Sequence, residues 1–257
     1  MNPESLAACL KTHQKGGASC DEDSAGGTPT DAVETTALPK KPLMIGEMNL
    51  ARDKNLHLPG GAPPSLIHQL AGIIERLDLA GMFPKIQPIE VELGSGDGSF
   101  LADYAARCPE TNLIGVERFL GRLRKIDRKG RRAGLANLRC VRIEASYFLE
   151  YLLPQHSARA IHIYFPDPWP KRKHWRRRLI NEHFVLAARQ ALAPGGAVYL
   201  RTDDANYFAQ IRAVFSESPF FQETDTPPAL AGLMTDFERT FAAKGIQTLR
   251  AAYRVKD

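Results

Sequence analysis

Residues 163–170 read Ile-Tyr-Phe-Pro-Asp-Pro-Trp-Pro, which sets a single carboxylate, Asp167, among three prolines. Proline fixes φ and removes a main-chain donor, so this turn is stiff and its acid is held in one place. The next eight residues, Lys171, Arg172, Lys173, His174, Trp175, Arg176, Arg177 and Arg178, carry six permanent cations and an aromatic ring. That combination grips a phosphate backbone and offers a stacking surface, although a basic run can also be a plain solvated face. A second basic cluster, Arg122, Arg124, Lys125, Arg128, Lys129, Arg131 and Arg132, reads equally well either way.

Upstream, Ile89-Glu90-Val91-Glu92-Leu93 runs into Gly94-Ser95-Gly96-Asp97-Gly98 and then a helical pattern. Glycines at a strand-to-helix turn let bare backbone approach a nucleotide-like ligand. The spacing is GxGxG, whereas the turn that cradles a dinucleotide pyrophosphate is GxGxxG, which argues against NAD. Glu117 ends the next strand, where a carboxylate can accept from both ribose hydroxyls of an adenosine. Glu92 suits a cationic or amine-bearing ligand and would repel a pyrophosphate. Together these fit S-adenosylmethionine. Glu144, closing the third strand, is placed to receive an adenine amino group.

Strand and helix patterns alternate around these residues. Strand patterns at 89–93, 112–117, 138–144, 160–165 and 197–202 are separated by helical patterns at 99–107, 121–133, 147–153 and 176–192. A helix near 206–215, a strand at 220–224, a loop and a strand at 247–255 follow. Apolar strands joined by helices of this length imply right-handed crossovers, hence an α/β, doubly wound, Rossmann-like sheet of seven mostly parallel strands covered on both faces. Strand order reverses beside the first strand in such a sheet, so Asp167 is expected to face Gly94 to Gly98. A further helix is expected after Ser65 as N-cap, with Leu66, Ile67, Leu70, Ile73, Ile74 and Leu77 on one face.

The 257 residues are 44% hydrophobic and 25% charged, enough for one large domain and not a disordered chain. No stretch approaches the roughly 18 apolar residues of a membrane span, and the start lacks a secretory leader, so a cytoplasmic protein is expected. Cysteines 9, 20, 108 and 140 form no CxxC pair, so neither disulfides nor a metal site is expected. Residues 1–40 read as a disordered acidic tail, 41–64 as an irregular Pro-rich arm and 65–257 as the folded domain. The net charge of +5 divides into −4 over residues 1–39 and +9 beyond, which points to a polyanionic partner.

With these residues in view, the chain resembles the bacterial tRNA (guanine-N7-)-methyltransferases over about residues 45–257. The resemblance is carried by VELGSGDGSF, the IGVE strand, YFPDPWPKRKHWRRRL, LRTDDANYF and TDFERTFAAKG. It implies a class I methyltransferase fold and an enzyme that moves a methyl group from S-adenosylmethionine to N7 of a tRNA guanosine, position 46 in the variable loop. It puts the methyl donor on Glu92, Gly94, Ser95, Gly96, Glu117, Glu144 and Asp167, and catalysis on Asp167. It puts tRNA contacts on Lys171, Lys173, His174, Trp175, Arg176, Arg177, Arg178, Asp203, Thr235, Asp236, Phe237 and Glu238. Asp203 is expected to accept from the N1–H and N2–H edge of guanine, with Trp169 and Trp175 as stacking partners. The family usually has Asp-Ala where this chain has Glu144-Ala145, so an adjusted adenine contact is expected. A transferase acting on another RNA or on an exocyclic amine, and a non-catalytic RNA-binding module, stand as alternatives. Oligomeric state is not legible.

Overall fold

The computed structural model describes residues 64–256. The tail expected at 1–40 and all but the last residue of the arm lie outside the described residues, as do Cys9 and Cys20. Eight strands form one sheet: β1 (Ile67–His68), β2 (Ile89–Leu93), β3 (Asn112–Val116), β4 (Leu138–Val141), β5 (Ala158–Tyr164), β6 (Leu192–Thr202), β7 (Phe221–Glu223) and β8 (Leu249–Val255). Their order is β1-β4-β3-β2-β5-β6-β8-β7, parallel except for the pairings of β8 with β6 and β7. The doubly wound parallel sheet expected from the alternation is therefore present, with one strand more than the seven read from the sequence.

The helices are α1 (Leu79–Met82), α2 (Ser99–Arg107), α3 (Leu120–Arg132), α4 (Ala145–Tyr147), α5 (Glu182–Ala191), α6 (Ala205–Ser216), α7 (Pro228–Ala231) and α8 (Asp236–Ala242). A π-helical turn, Phe148–Leu152, extends α4, and a 3-10 segment, Arg172–Arg177, holds the basic run. The helix expected from 176 to 192 is thus shorter, starting after the Asn181 cap, whose side chain accepts from Phe184 N–H at 3.0 Å. The loop expected between β7 and β8 contains α7 and α8.

The helix expected after Ser65 is absent. Leu66 is instead drawn to the sheet edge, where its carbonyl accepts from Cys140 N–H at 2.8 Å, and Asp127 accepts from Leu66 N–H at 2.7 Å and from the Ser65 hydroxyl at 3.1 Å. Ile73 and Ile74 are consequently exposed.

Each face of the sheet is buried for a different reason. Val91, Leu93, Ile161, Ile163, Val198 and Leu200 pack against α5 and α6 in the main apolar core. The other face carries Glu90, Glu92, His162, Tyr164, Tyr199 and Arg201, in register across β2, β5 and β6. Buried charge requires partners. Glu90 receives Arg159 at 2.6 Å and His162 at 2.8 Å. Burial raises its pKa, but these two partners outweigh burial and hold it at about 2. Glu92 has no comparable partner set, and that difference leads to the site.

Candidate active site

The carboxyl ends of β2, β3, β4 and β5 are neighbours in the sheet, and the chain leaving them bounds an open cleft of about 260 Å³. Gly94, Glu117, Glu144 and Asp167, four residues singled out from sequence, line it. This is where a doubly wound sheet binds ligands, because the helix starts and loop amides diverge there.

The glycine turn is tied to β3: the N–H groups of Gly94 and Ser95 both donate to Val116 O, at 2.9 and 3.0 Å. Gly94 and Gly96 have φ of 78° and 56°, and a Cβ on either would meet nothing within 4 Å among the described residues. Gly98 (φ 74°) is a close approach instead, since a Cβ there would lie 2.6 Å from Ile126. Glu117 is buried at the strand end; its carboxylate accepts from Gly96 N–H at 3.2 Å and Phe119 N–H at 2.9 Å, and Arg122 sits 3.5 Å away.

Glu92 is set back from the cleft and 4% exposed, and its Oε2 has no hydrogen-bond partner among the described residues. Burial lifts its pKa to about 8; Arg201 opposes this, while Asp97 and Glu117 add to it. An orphaned buried carboxyl beside a glycine turn fits the charged amine of S-adenosylmethionine, and Glu117 fits its ribose. Glu144 is exposed and acts as N-cap of α4, one oxygen accepting from Tyr147 N–H at 2.8 Å. Its second oxygen has no such bond among the described residues, so the longer side chain serves the cap and still lines the cleft.

Asp167 is held by a strained turn. Phe165 and Trp169, on either side of it, have φ of 54° and 44°, a region that side-chain-bearing residues occupy only when their surroundings impose it. The turn is held from two sides: Phe165 N–H donates to Arg201 O at 2.8 Å, and Arg178 fastens Pro168. The Arg178 Nε donates to Pro168 O at 2.7 Å, and its other nitrogens donate to Gln210 Oε1 at 2.7 Å and Asn206 Oδ1 at 2.9 Å. The guanidinium sits between the rings of Trp175 and Tyr207, 4.7 and 4.8 Å from their centroids. At 2% exposure Arg178 is enclosed, so of the cations expected at the tRNA it is the one whose donors are spent inside the protein.

The rest of the run is outward. Lys171, Arg172, Lys173, Arg176 and Arg177 are exposed and have no ion-pair partner among the described residues; Arg177 lies 5.0 Å over Trp169, and both line the cleft. His174 packs edge-on with Trp169, and the Trp175 indole N–H is buried without a partner among the described residues. Asp203 is exposed, because its neighbour Asp204 does the capping of α6, accepting from Tyr207 N–H at 2.7 Å.

Thr235 and Glu238 form a capping box at α8. Glu238 is 1% exposed, and its carboxylate accepts from Arg201 at 2.6 Å and Arg250 at 2.9 Å, so it serves the framework before any ligand. Asp236 and Phe237 stay exposed. Asp236 N–H donates to Ser99 Oγ at 3.1 Å and Phe237 lies 5.9 Å from Phe165, which brings this segment beside both the glycine turn and the Asp167 turn. Missed from sequence were Arg118 and Phe119, cleft residues with the guanidinium 4.6 Å over the ring. Their signal was position: they directly follow Glu117 at the strand end. Among the described residues no cluster could hold a metal ion, and no helix is long and apolar enough to cross a membrane.

Fold and cleft together define a methyltransferase: the Methyltransf_4 family, described as "Putative methyltransferase", matches residues 86–251. A solved structure, that of the 16S rRNA methyltransferase KamB, shares the fold with TM-score 0.50 and 16% identity over 71% of this chain and 95% of its own. More particularly, the chain belongs to the tRNA (guanine-N(7)-)-methyltransferase family. It is 34% identical to the member from Halorhodospira halophila over 70% of this chain and 80% of that one. It is 33% identical to the member from Syntrophotalea carbinolica over 65% and 74%.

Proposed function

We propose that this protein transfers the methyl group of S-adenosylmethionine to N7 of a guanosine in tRNA, at position 46 of the variable loop, in the cytoplasm. The observation that carries the reading is the cleft in which a glycine turn, Glu117 and Asp167 converge, flanked by a basic run with no ion-pair partner among the described residues for its exposed cations. When bound, the donor supplies an electrophilic sulfonium methyl. Glu92, Glu117 and Glu144 hold its amine, ribose and adenine.

Guanine N7 has a lone pair in the ring plane, so its attack removes no proton and the site needs no general base. Asp167 supplies negative charge where the purine becomes cationic, and the stiff turn keeps that charge in place without reorganisation. Asp203, unclaimed by the α6 cap, accepts from the N1–H and N2–H edge that guanine has and adenine lacks. Lys171, Lys173, Arg176 and Arg177 bind phosphate, and Trp169 gives a displaced base a stacking face.

The test is transfer of labelled methyl to an unmodified tRNA transcript and to one carrying 7-deazaguanine at the target position. Label is expected only on the first. Equal labelling of both would move the chemistry to another atom.

A further inference from the structure

We propose that the outer face of α3 is a second track for the tRNA backbone, on the side of the cleft opposite the basic run; the inference rests on the function proposed above. α3 holds seven basic residues and one acid, Asp127, which is buried and committed to Ser65, Leu66 and Arg131. Two of the bases are also spoken for: Arg122 pairs with Glu117, and Lys129 with Asp97 at 3.2 Å. Arg124, Lys125, Arg128 and Arg132 are left exposed, with no ion-pair partner among the described residues.

These four share one face. Arg124, Arg128 and Arg132 recur every four residues, with Lys125 beside them, giving a stripe about 12 Å long at 1.5 Å per residue. Like charges at that spacing weaken the helix that bears them. A cation in the last turn favours the helix dipole, which accounts for Arg132 but not for Arg124, Lys125 or Arg128 in the body of the helix. An ordinary solvated face would interleave acids, and this one has none. What reconciles the stripe with its cost is a polyanion lying along it.

Position selects the polyanion. α3 begins at the cleft mouth, since Arg118, Phe119 and Arg122 line the cavity whose other lip is Trp169 and Arg177. A nucleic acid that delivers a base into the cleft therefore meets cations on both lips, and the stripe continues from the first lip down the flank. It would engage phosphates remote from the target nucleotide, in parts of the tRNA that an isolated loop lacks.

The experiment measures tRNA binding by fluorescence polarisation across a salt series, for the full chain and for a variant carrying Arg124→Gln, Lys125→Gln, Arg128→Gln and Arg132→Gln. Counterion release predicts that the slope of log K against log salt shrinks by about 3, at roughly 0.7 to 0.9 for each of four phosphate contacts. A chain with Arg124→Lys, Arg128→Lys and Arg132→Lys retains the charge and keeps the wild-type slope. Donor affinity within about twofold of wild type reports an intact fold. An unaltered slope in the neutral variant, or an equal loss in the charge-retaining one, overturns the proposal. So does a deficit equally large on a short hairpin carrying only the target loop. Because the readout is binding, a wild type that transfers no methyl to tRNA would sink the function alone.

Discussion

Glu92 shows how a residue's neighbours decide its chemistry. It shares a strand and a face with Glu90, yet Glu90 is ionised by Arg159 and His162, while Glu92 keeps its proton at neutral pH because burial lifts its pKa to about 8. A cationic donor favours the carboxylate, so binding should release a proton, and donor affinity should tighten as pH rises from about 6 toward about 8. Isothermal titration calorimetry in two buffers of different ionisation enthalpy measures both effects; a dissociation constant flat between about pH 6 and 8 would remove Glu92 from the amine site. The stability of the donor-free fold runs the other way. The folded pKa is raised, so the contribution is complete below the ordinary carboxylate range and is lost as pH rises through about 8. Glu92→Gln should flatten both profiles. At the cleft itself, Asp167→Ala should lower kcat strongly with tRNA affinity retained, measured by single-turnover methyl transfer; unchanged turnover would take Asp167 out of the reaction.

At the scale of elements, two parts of the basic run separate by role. Arg178 fastens the Asp167 turn to α6, so Arg178→Lys, which loses the fork that holds Pro168, Gln210 and Asn206 together, should lower kcat by roughly 10- to 100-fold and leave the salt dependence of tRNA binding unchanged. Arg176→Ala with Arg177→Ala should do the reverse, reducing the salt slope by about 1 to 2. Equal behaviour of the two variants would contradict the division. α8 depends on a buried ion pair: Glu238→Ala leaves Arg201, 2% exposed, without its carboxylate, and should destabilise the protein by about 3 to 5 kcal/mol in urea denaturation. The element that the sequence misdirects is the segment after Ser65. Its apolar spacing is helical, but β4 leaves an open edge that hydrogen-bonds Leu66, and Asp127, 61 residues away, takes the serine and amide that would have capped a helix.

Across the whole molecule, the βα alternation, the glycine turn, the acid at the end of each site strand and the charge surplus were all legible along the chain. All of these are local: they depend on period, turn chemistry and residue type within a few positions. Tertiary structure alone decided which cations are free. Arg178 and Arg177 are adjacent and chemically identical, yet one lies enclosed between Trp175 and Tyr207 while the other faces the cleft. The α3 stripe likewise became distinct from its paired neighbours only once Glu117, Asp97 and Asp127 were placed beside Arg122, Lys129 and Arg131. The same holds for Glu90 and Glu92, which alternate identically in the chain and part only through what the neighbouring strands bring across. Charge and periodicity are written along the chain, but partnership is a property of distance, and distance between residues far apart in sequence is fixed only by the packed fold.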